Sequence, residues 1–280
     1  MARVGVVGHV EWVQFAVVAR VPPPGEIVHA RESFSEPAGG GAVAAVQLRK
    51  LAGAATFLTA LGSDGAGRRT AERLREHYGI TLHPAVREAP QRRTFTFLDD
   101  GGERTITVLG ERIVPVRADP LPWDALGDLD AIYFTGGDTA AVRAARAARV
   151  LVATPRALEA LVGSGVALDV LVGSADDPGE VYGPGMLDPE PRIVVRTRGA
   201  AGGEWTATGG DDGPRSGSWR ATPLPGEPVD AYGCGDSFAA GLTYGLGAGM
   251  ALEDAVELGA RCGAACLCGR GPYAGQLELG

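Results

Sequence analysis

The stretch Val229-Asp230-Ala231-Tyr232-Gly233-Cys234-Gly235-Asp236-Ser237-Phe238-Ala239-Ala240-Gly241 carries the strongest structural signal in this 280-residue chain. Two of its glycines form a turn with little side-chain bulk, and Asp236 follows directly. The residues from Ser237 to Leu246 contain no proline and no charge, which predicts a buried helix. A glycine turn at a helix start directs several backbone N–H groups at one point, where the helix dipole also favours an anion.

Asp236 has two interpretations in this setting. A carboxylate beside an anion site is unfavourable, unless it accepts a proton from a nucleophile that attacks a phosphate held there. Aspartate is also a common N-cap residue, and glycine turns often precede helices. From this segment alone, a catalytic base and a helix cap both remain open.

Composition limits the class of protein. Apolar residues make up 45% and charged residues 21%, which is typical of a globular protein. The length of 280 residues suits one large α/β domain or two small ones. The net charge of −8 argues against a protein that coats nucleic acid or binds membranes through a basic patch. We find no secretory signal and no apolar run of about 18 residues, so we expect a cytoplasmic protein without nucleic-acid or membrane partners.

Strand and helix patterns alternate along the first part of the chain. The apolar run Arg3–Gly8 predicts a buried strand, and the triple glycine 39–41 opens a helix that continues to about Ala52. Ala54–Leu61 predicts the next strand, and Arg68–Tyr78 an amphipathic helix. This alternation predicts a parallel sheet with helices on its faces.

Glu11 follows the first predicted strand. The carboxyl ends of parallel strands are where open α/β sheets bind ligands, so Glu11 is a candidate for binding substrate hydroxyls. The alternative is an ordinary surface acid. The glycines at 39–41 would similarly let a ligand approach the backbone closely, or they form a flexible loop before an ordinary helix.

The alternation breaks between residues 92 and 108. Arg93–Leu98 and Arg104–Val108 are rich in β-branched and aromatic residues, and they flank the turn Asp99-Asp100-Gly101-Gly102. Together with an exposed strand predicted at Glu26–Phe34, this hairpin would form a small lid. The strand–helix alternation resumes near Asp130.

The four cysteines favour core packing over a metal site. Cys262, Cys266 and Cys268 lie on a predicted C-terminal helix among apolar residues and glycines, and their spacing fits no zinc pattern. Cys234 differs, because the N-terminus of a helix favours a thiolate that can be oxidised. Its alternative role is to fill the place of a small residue.

The order of these features resembles the ribokinase-like family of carbohydrate and nucleoside kinases, also called the phosphofructokinase-B or PfkB family, over nearly the whole chain. The motifs are two glycines near residue 40, a lid hairpin near residue 100, Thr-x-Gly-x-x-Gly at 197–202 and Asp-x-x-Gly-x-Gly-Asp at 230–236. The last motif is the most specific. The resemblance implies one domain over residues 1–280, an α/β/α sandwich of three layers with a central, mostly parallel sheet. It also implies a small β-lid with strands within about 11–35 and 92–109.

The resemblance also implies a function. Family members transfer a phosphoryl group from ATP to a hydroxyl of a sugar or related small molecule, and the matching catalytic base is Asp236. The matching anion-hole residues are Gly233, Cys234 and Gly235. The positions matching the ATP site are Thr197, Gly199 and Gly202, and those matching the acceptor site are Glu11, Gly39, Gly40 and Gly41.

Two carboxylates match cation positions of the family. Asp177 would bind Mg²⁺, through water, and Asp230 would help to hold a monovalent cation such as K⁺. Lid strands in this family often pair between two subunits. A homodimer through the lid would therefore cover Phe34, Phe95 and Phe97, which could equally cover the substrate in a monomer.

The chain departs from the family pattern in places. It contains no asparagine, so the sugar-binding Asn expected near Ala44 is missing, and the Asn-x-x-Glu segment is replaced by Ser174–Asp177. Cys234 stands where the family usually has alanine. A catalytically degenerate member that binds a small ligand as a regulator is therefore the alternative to a kinase. A dinucleotide-dependent oxidoreductase is poorly supported, because Gly5–Gly8 lacks a third glycine and leads to no helix.

Overall fold

The structure, a computed structural model, describes residues 1–101, 104–208 and 215–279. In these ranges the strands are β1 (Val4–Val7), β2 (Glu11–Val17), β3 (Glu32–Ala38), β4 (Thr56–Gly62), β5 (Thr81–Arg87), β6 (Arg93–Leu98), β7 (Arg104–Leu109), β8 (Ala131–Phe134), β9 (Val150–Ala153), β10 (Val170–Ser174), β11 (Ile193–Thr197), β12 (Gly203–Ala207) and β13 (Arg215–Trp219). The α-helices are α1 (Gly40–Ala52), α2 (Gly65–Glu72), α3 (Thr139–Ala145), α4 (Leu158–Leu161), α5 (Cys234–Gly247) and α6 (Leu252–Leu267).

The main sheet has nine strands in the order β13-β12-β11-β10-β9-β8-β1-β4-β5. All pairs from β11 to β5 are parallel, whereas β12 and β13 are antiparallel. Successive residues of a strand face opposite sides, so Val6 packs in one core and Val7 in the other. A parallel strand that is buried on both faces needs an unbroken apolar run, which explains the sequence of β1.

Helices cover both faces of this sheet. Helices α1, α5 and α6 pack on one face, and α3, α4 and the 3₁₀ turn Trp123–Asp128 pack on the other. This arrangement confirms the predicted sandwich of three layers with a mostly parallel sheet. Cys262 and Cys266 are fully buried in α6, as the core-packing interpretation predicts. Among the described residues, no helix is long and apolar enough to cross a membrane.

A second sheet of four strands, in the order β3-β2-β6-β7, stands beside the main one. Strands β6 and β7 pair antiparallel as the hairpin predicts, although Gly102 of the predicted turn lies outside the described residues. The strand predicted at Glu26–Phe34 is wrong in its bounds, because β3 runs from Glu32 to Ala38. Pro37 falls within β3, which is possible because β3 is an edge strand and one of its sides has no ladder partner.

The helix predicted at Arg68–Tyr78 begins earlier and changes its geometry. Asp64 caps α2, accepting a hydrogen bond from the Gly67 amide at 3.0 Å, and residues 73–77 continue as one π-helical turn. Strand β5 follows directly and forms one edge of the main sheet. The sequence pattern did not predict β5 as a strand, whereas β2 lies within the range 11–35 that the family resemblance gave for lid strands.

Gly41 provides a test of this packing. A Cβ at this buried position would lie 2.4 Å from the carbonyl oxygen of His9 and 2.9 Å from the ring of Phe57. We predict that Gly41→Ala lowers the free energy of unfolding by about 1–3 kcal/mol, the usual range for overpacking. Urea unfolding followed by circular dichroism measures it. Gly183→Ala is the control, since a Cβ there meets no atom within 4 Å. Equal stability of the two variants would contradict the packing at α1.

Candidate active site

Asp236 is the third residue of α5, and its side chain is partly buried. Gly233 is the N-cap of this helix, with a φ of 83° that favours glycine, and in the described part of the chain no side chain caps this end. The N-cap interpretation of Asp236 is therefore wrong. The first N–H groups of a helix have no partner within the helix, so the start of α5 suits an anion beside the carboxylate. The anion hole itself stays a prediction.

A second helix start faces Asp236. Gly39 is the N-cap of α1 with a φ of 83°, and a Cβ on the next residue, Gly40, would lie 2.9 Å from Oδ1 of Asp236. A side chain at Gly40 would therefore displace the carboxylate. Gly41 instead packs against the core, so within the glycine triplet only Gly39 and Gly40 line the site.

The surroundings of Asp236 shift its proton affinity. Burial raises the pKa of this carboxyl to about 7, and the negative charge of Glu180 acts in the same direction. Arg156 and Arg104 oppose the shift. A carboxylate with a pKa near neutrality can both accept and release a proton under physiological conditions, which suits a general base.

Glu11 lies on the far side of Gly39. It is the first residue of β2 and is 8% exposed, with Oε1 at 3.0 Å from Nε of Arg92 and 3.7 Å from Nε2 of His9. A Cβ on Gly39 would lie 3.3 Å from Cγ of Glu11 and 3.2 Å from Nε2 of His9. Burial raises the pKa of Glu11, and Arg92 counteracts it. Glu11, Gly39, Gly40 and Asp236 therefore follow one another along one wall.

Arg112 lies behind His9. Its Nη2 donates to Nδ1 of His9 at 2.8 Å and to the carbonyl of Thr135 at 2.7 Å, and Nη1 donates to the carbonyl of Arg156 at 3.0 Å. Burial lowers the pKa of His9 well below its usual value, and the positive charges of Arg112 and Arg92 lower it further. His9 is therefore neutral. Because its Nδ1 accepts from Arg112, its proton is on Nε2, which faces Glu11.

The predicted magnesium carboxylate Asp177 is bound to an arginine. Nη2 of Arg156 contacts Asp177, and its Nε lies 2.9 Å from Oε1 of Glu180. The Gly179 amide donates to Asp177 at 2.8 Å, and together with Arg156 it keeps the pKa of Asp177 low despite burial. Glu180 also accepts from the amide of Ser174 at 2.6 Å. Glu180 lies beyond the segment that matches the family motif, so the sequence pattern alone does not identify it.

Asp230 connects two loops. Its Oδ1 accepts from the Tyr232 amide at 2.8 Å, and its Oδ2 accepts from the Gly271 amide at 2.5 Å. Burial raises the pKa of this carboxyl, and the two amide hydrogen bonds oppose the rise. The carboxylate thus fixes the turn before α5 to the loop after α6.

A cavity of about 1070 Å³ lies between the lid, α5 and α6. The predicted ATP residues Thr197, Gly199 and Gly202 line it together with Cys234 and Gly235. The cavity therefore joins the helix start beside Asp236 to the carboxyl end of β11. It has the volume and the backbone lining that a nucleotide site needs.

The lid closes one side of this cavity. Leu98, Asp99 and Gly101 line it from the end of β6. Arg104, at the start of β7, donates from Nη1 to the carbonyl of Ala231 at 3.2 Å, which connects the lid to the turn before α5. These contacts place the lid over the helix start that holds Asp236.

Cys234 does not behave as its position predicts. A hydrogen bond with Cys266, together with burial, raises the pKa of the Cys234 thiol instead of lowering it. The prediction of a thiolate favoured by the helix dipole is therefore wrong. Its amide lies 3.5 Å from the carbonyl oxygen of Ala231, the outer limit of a hydrogen bond.

The chain resembles known proteins in a family model, in sequence and in fold. The model of the pfkB family carbohydrate kinases matches residues 1–161 and 179–278. Fructoselysine 6-kinase of Escherichia coli (strain K12) is 46% identical over 46 residues, which are 16% of this chain. The aligned segment spans 18% of that kinase, so this chain matches less than a fifth of the length of its curated relative.

Solved structures share the fold over nearly the full length. A ribokinase candidate from Agrobacterium tumefaciens aligns with a TM-score of 0.83 and 21% identity, over 98% of this chain and 94% of that one. Ribokinase of Arabidopsis thaliana, solved in complex with ribose and ATP, aligns with a TM-score of 0.73 and 19% identity, over 96% and 94% of the chains. Because the family model covers almost the entire sequence and the fold agrees with it, the chain belongs to the pfkB family of carbohydrate kinases.

Proposed function

We propose that this protein is an ATP-dependent phosphotransferase that phosphorylates a hydroxyl of a sugar or related small molecule. The observation that carries the proposal is the position of Asp236, a carboxylate with a pKa of about 7 in the first turn of α5 and against the start of α1. Carboxylates are common in the first turn of a helix, but this one lies against the start of a second helix and has a pKa near neutrality, which suits deprotonation of the hydroxyl that receives the phosphoryl group. We also propose a cytoplasmic location, because the proposed reaction uses ATP.

In the proposed mechanism the acceptor lies over Gly39 and Gly40, with Glu11 binding its hydroxyls. Asp236 takes the proton from the attacking hydroxyl as its oxygen bonds to the γ-phosphorus of ATP, and the bond from that phosphorus to the bridging oxygen breaks to release ADP. The amides of the turn at Gly233, Cys234 and Gly235 stabilise the charge on the transferring group, while Thr197, Gly199 and Gly202 hold the nucleotide. The lid excludes water, which would otherwise compete as an acceptor.

The carboxylates of Asp177 and Glu180 suit the Mg²⁺ ion that accompanies ATP as its magnesium complex. Magnesium prefers oxygen ligands and usually combines one or two carboxylates with waters and phosphate oxygens. In the described ranges no group of three or more His, Cys, Asp or Glu residues could hold a metal alone, so the phosphates would supply the remaining ligands. The ion would neutralise phosphate charge during transfer.

Asp230 is our candidate for a monovalent cation such as K⁺. Its buried carboxylate has one amide hydrogen bond on each oxygen, which leaves lone pairs for a cation beside the anion hole. Replacement of K⁺ by a tetraalkylammonium ion in the assay tests this part of the proposal.

The proposed function is tested by measuring ADP formation over a panel of sugars, polyols, sugar derivatives and nucleosides, with Mg²⁺ and ATP present. Acceptor-dependent ADP formation supports the proposal. The regulator alternative predicts that ATP and a small ligand raise the melting temperature without any turnover. That result would contradict a kinase.

We predict that Asp236→Asn lowers kcat by about 10²- to 10⁴-fold, the usual contribution of a general base, and leaves ATP affinity within a few fold. Asparagine keeps the size of the side chain but cannot take the proton. Asp254→Asn is the matched control, because Asp254 is also the third residue of a helix, α6, and is exposed. Retained turnover in Asp236→Asn would exclude Asp236 as the base.

The pH profile is a further prediction. Asp236 accepts a proton only when it is deprotonated, so kcat/KM should rise as pH increases toward about 7 and then level off. Glu180→Gln removes a negative charge that raises this pKa, so the inflection should move to lower pH. Steady-state kinetics in buffers of constant ionic strength measures both profiles. A profile that is flat across pH 7 would contradict the assignment.

We also propose a homodimer through the lid. Strand β7 is an edge strand whose Ile106, Val108 and Leu109 are each more than two-fifths exposed, whereas Phe34 stacks on Phe15 within the subunit. Sedimentation velocity should show a dimer that Ile106→Lys converts to monomer. A monomer at all concentrations would overturn this proposal and leave the proposed chemistry unaffected.

A further inference from the structure

We propose that the acceptor carries an anionic group, a phosphate or a carboxylate, which binds to Arg92 and Arg112 at the end of the site away from Asp236. The proposal rests on the proposed function, since it identifies the class of acceptor for that same site. Its support comes from the charge balance, the hydrogen bonds and the position of the two arginines.

Glu11 supplies the one carboxylate that pairs with either of these two guanidinium groups in the described part of the chain, and it contacts Arg92 alone. Arg92 lies 3.0 Å from Glu11, and in the described part of the chain neither Arg92 nor Arg112 forms another ion pair within 4 Å. Arg156, the neighbouring arginine, is neutralised by Asp177 and Glu180. The end of the site near Glu11 therefore has one positive charge in excess, in a place that is mostly removed from water.

Arg112 is paired with neutral groups alone. Its three hydrogen-bond acceptors are the ring nitrogen of neutral His9 and the carbonyl oxygens of Thr135 and Arg156. Its Nε is buried and has no hydrogen-bond partner among the described residues. Burial lowers the pKa of Arg112, and the charge of Arg92 lowers it further, so the two side chains repel each other. A mostly buried guanidinium usually has a carboxylate or phosphate partner, because its desolvation is costly.

The position of the pair relates the excess charge to the acceptor. Asp236 lies beside Gly40, and the preceding residue, Gly39, lies beside His9 and Glu11. His9 in turn contacts Arg112, and Glu11 contacts Arg92. An acceptor with one hydroxyl at Asp236 would extend along this wall toward the arginines. An anionic group there would restore the charge balance, and guanidinium groups suit both phosphate and carboxylate because they donate parallel hydrogen bonds.

Arg92 also connects this end of the site to the lid. It immediately precedes β6, and its carbonyl accepts a hydrogen bond from the Trp12 amide of β2 at 3.0 Å. An anion bound to Arg92 would therefore contact the base of both central lid strands. The alternative is a structural role, in which the two arginines only hold loops together.

Matched pairs of acceptors separate the two roles. We would compare fructose with fructose 6-phosphate and with fructose 1-phosphate, and glucose with gluconate, by ADP formation at saturating ATP. We expect kcat/KM for at least one charged member to exceed that of its neutral partner by about 10-fold or more, the effect of one charged hydrogen bond. The phosphate and carboxylate pairs show which anion the site prefers.

Substitution of Arg92 locates the effect. Arg92→Gln should raise KM for the preferred charged acceptor by about 10- to 100-fold more than it raises KM for the neutral partner, with KM for ATP within a few fold. A smaller loss for the neutral partner is expected, because Arg92 also contacts Glu11. Arg92→Lys should recover part of the loss, because it retains the charge. Arg192→Gln is the control, since Arg192 is 70% exposed and pairs with Asp169 outside the site. A purely structural role predicts equal losses for charged and neutral acceptors.

The outcomes distinguish this inference from the proposed function. Equal or better turnover of the neutral members would overturn the anionic acceptor and leave the kinase intact. If no acceptor is turned over, but calorimetry shows binding of a charged member that Arg92→Gln weakens, the kinase fails and the anion site stands. Absence of both turnover and charge-dependent binding would overturn both.

Discussion

The carboxylate of Asp236 on α5 lies against the start of α1, and it can do so because Gly40 has no side chain. The carboxylate lies so close to this backbone that a single Cβ would clash with it. This close approach buries Asp236 enough to bring its pKa to about 7 while leaving the N-terminus of α5 open. The parallel sheet, the packing of α1 on α5 and the position of the lid all maintain that separation between two helix starts.

The second constraint is electrostatic. Carboxylates and guanidinium groups are concentrated around the wall between Asp236 and Glu11, where few water molecules can screen them. Glu180 raises the pKa of Asp236, and Arg156 restrains Glu180 by an ion pair at 2.9 Å. Arg92 and Arg112 differ from Arg156, because Arg156 contacts two carboxylates whereas Glu11 is the carboxylate that pairs with Arg92.

Features that depend on local backbone geometry could be predicted from the sequence. The glycine turn before α5, the glycines at the start of α1 and the segment 197–202 are recognisable because phosphate and sugar sites need bare backbone at fixed local spacing. Features that depend on distant partners could not. The strand expected at Glu26–Phe34 runs instead from Glu32 to Ala38, and burial together with Cys266 on another helix raises the pKa of Cys234, where a thiolate was expected.

The sequence by itself determined the fold class, the family and the position of Asp236 at a helix start, because periodicity and glycine spacing are encoded within short segments. Only the tertiary structure decided the surroundings of that residue. Glu180, Arg92, Arg112 and Arg156 come from separate loops with no common spacing, so no sequence pattern brings them together. Their effects depend on distance and burial, which exist only after the sheet has placed the ends of its strands side by side.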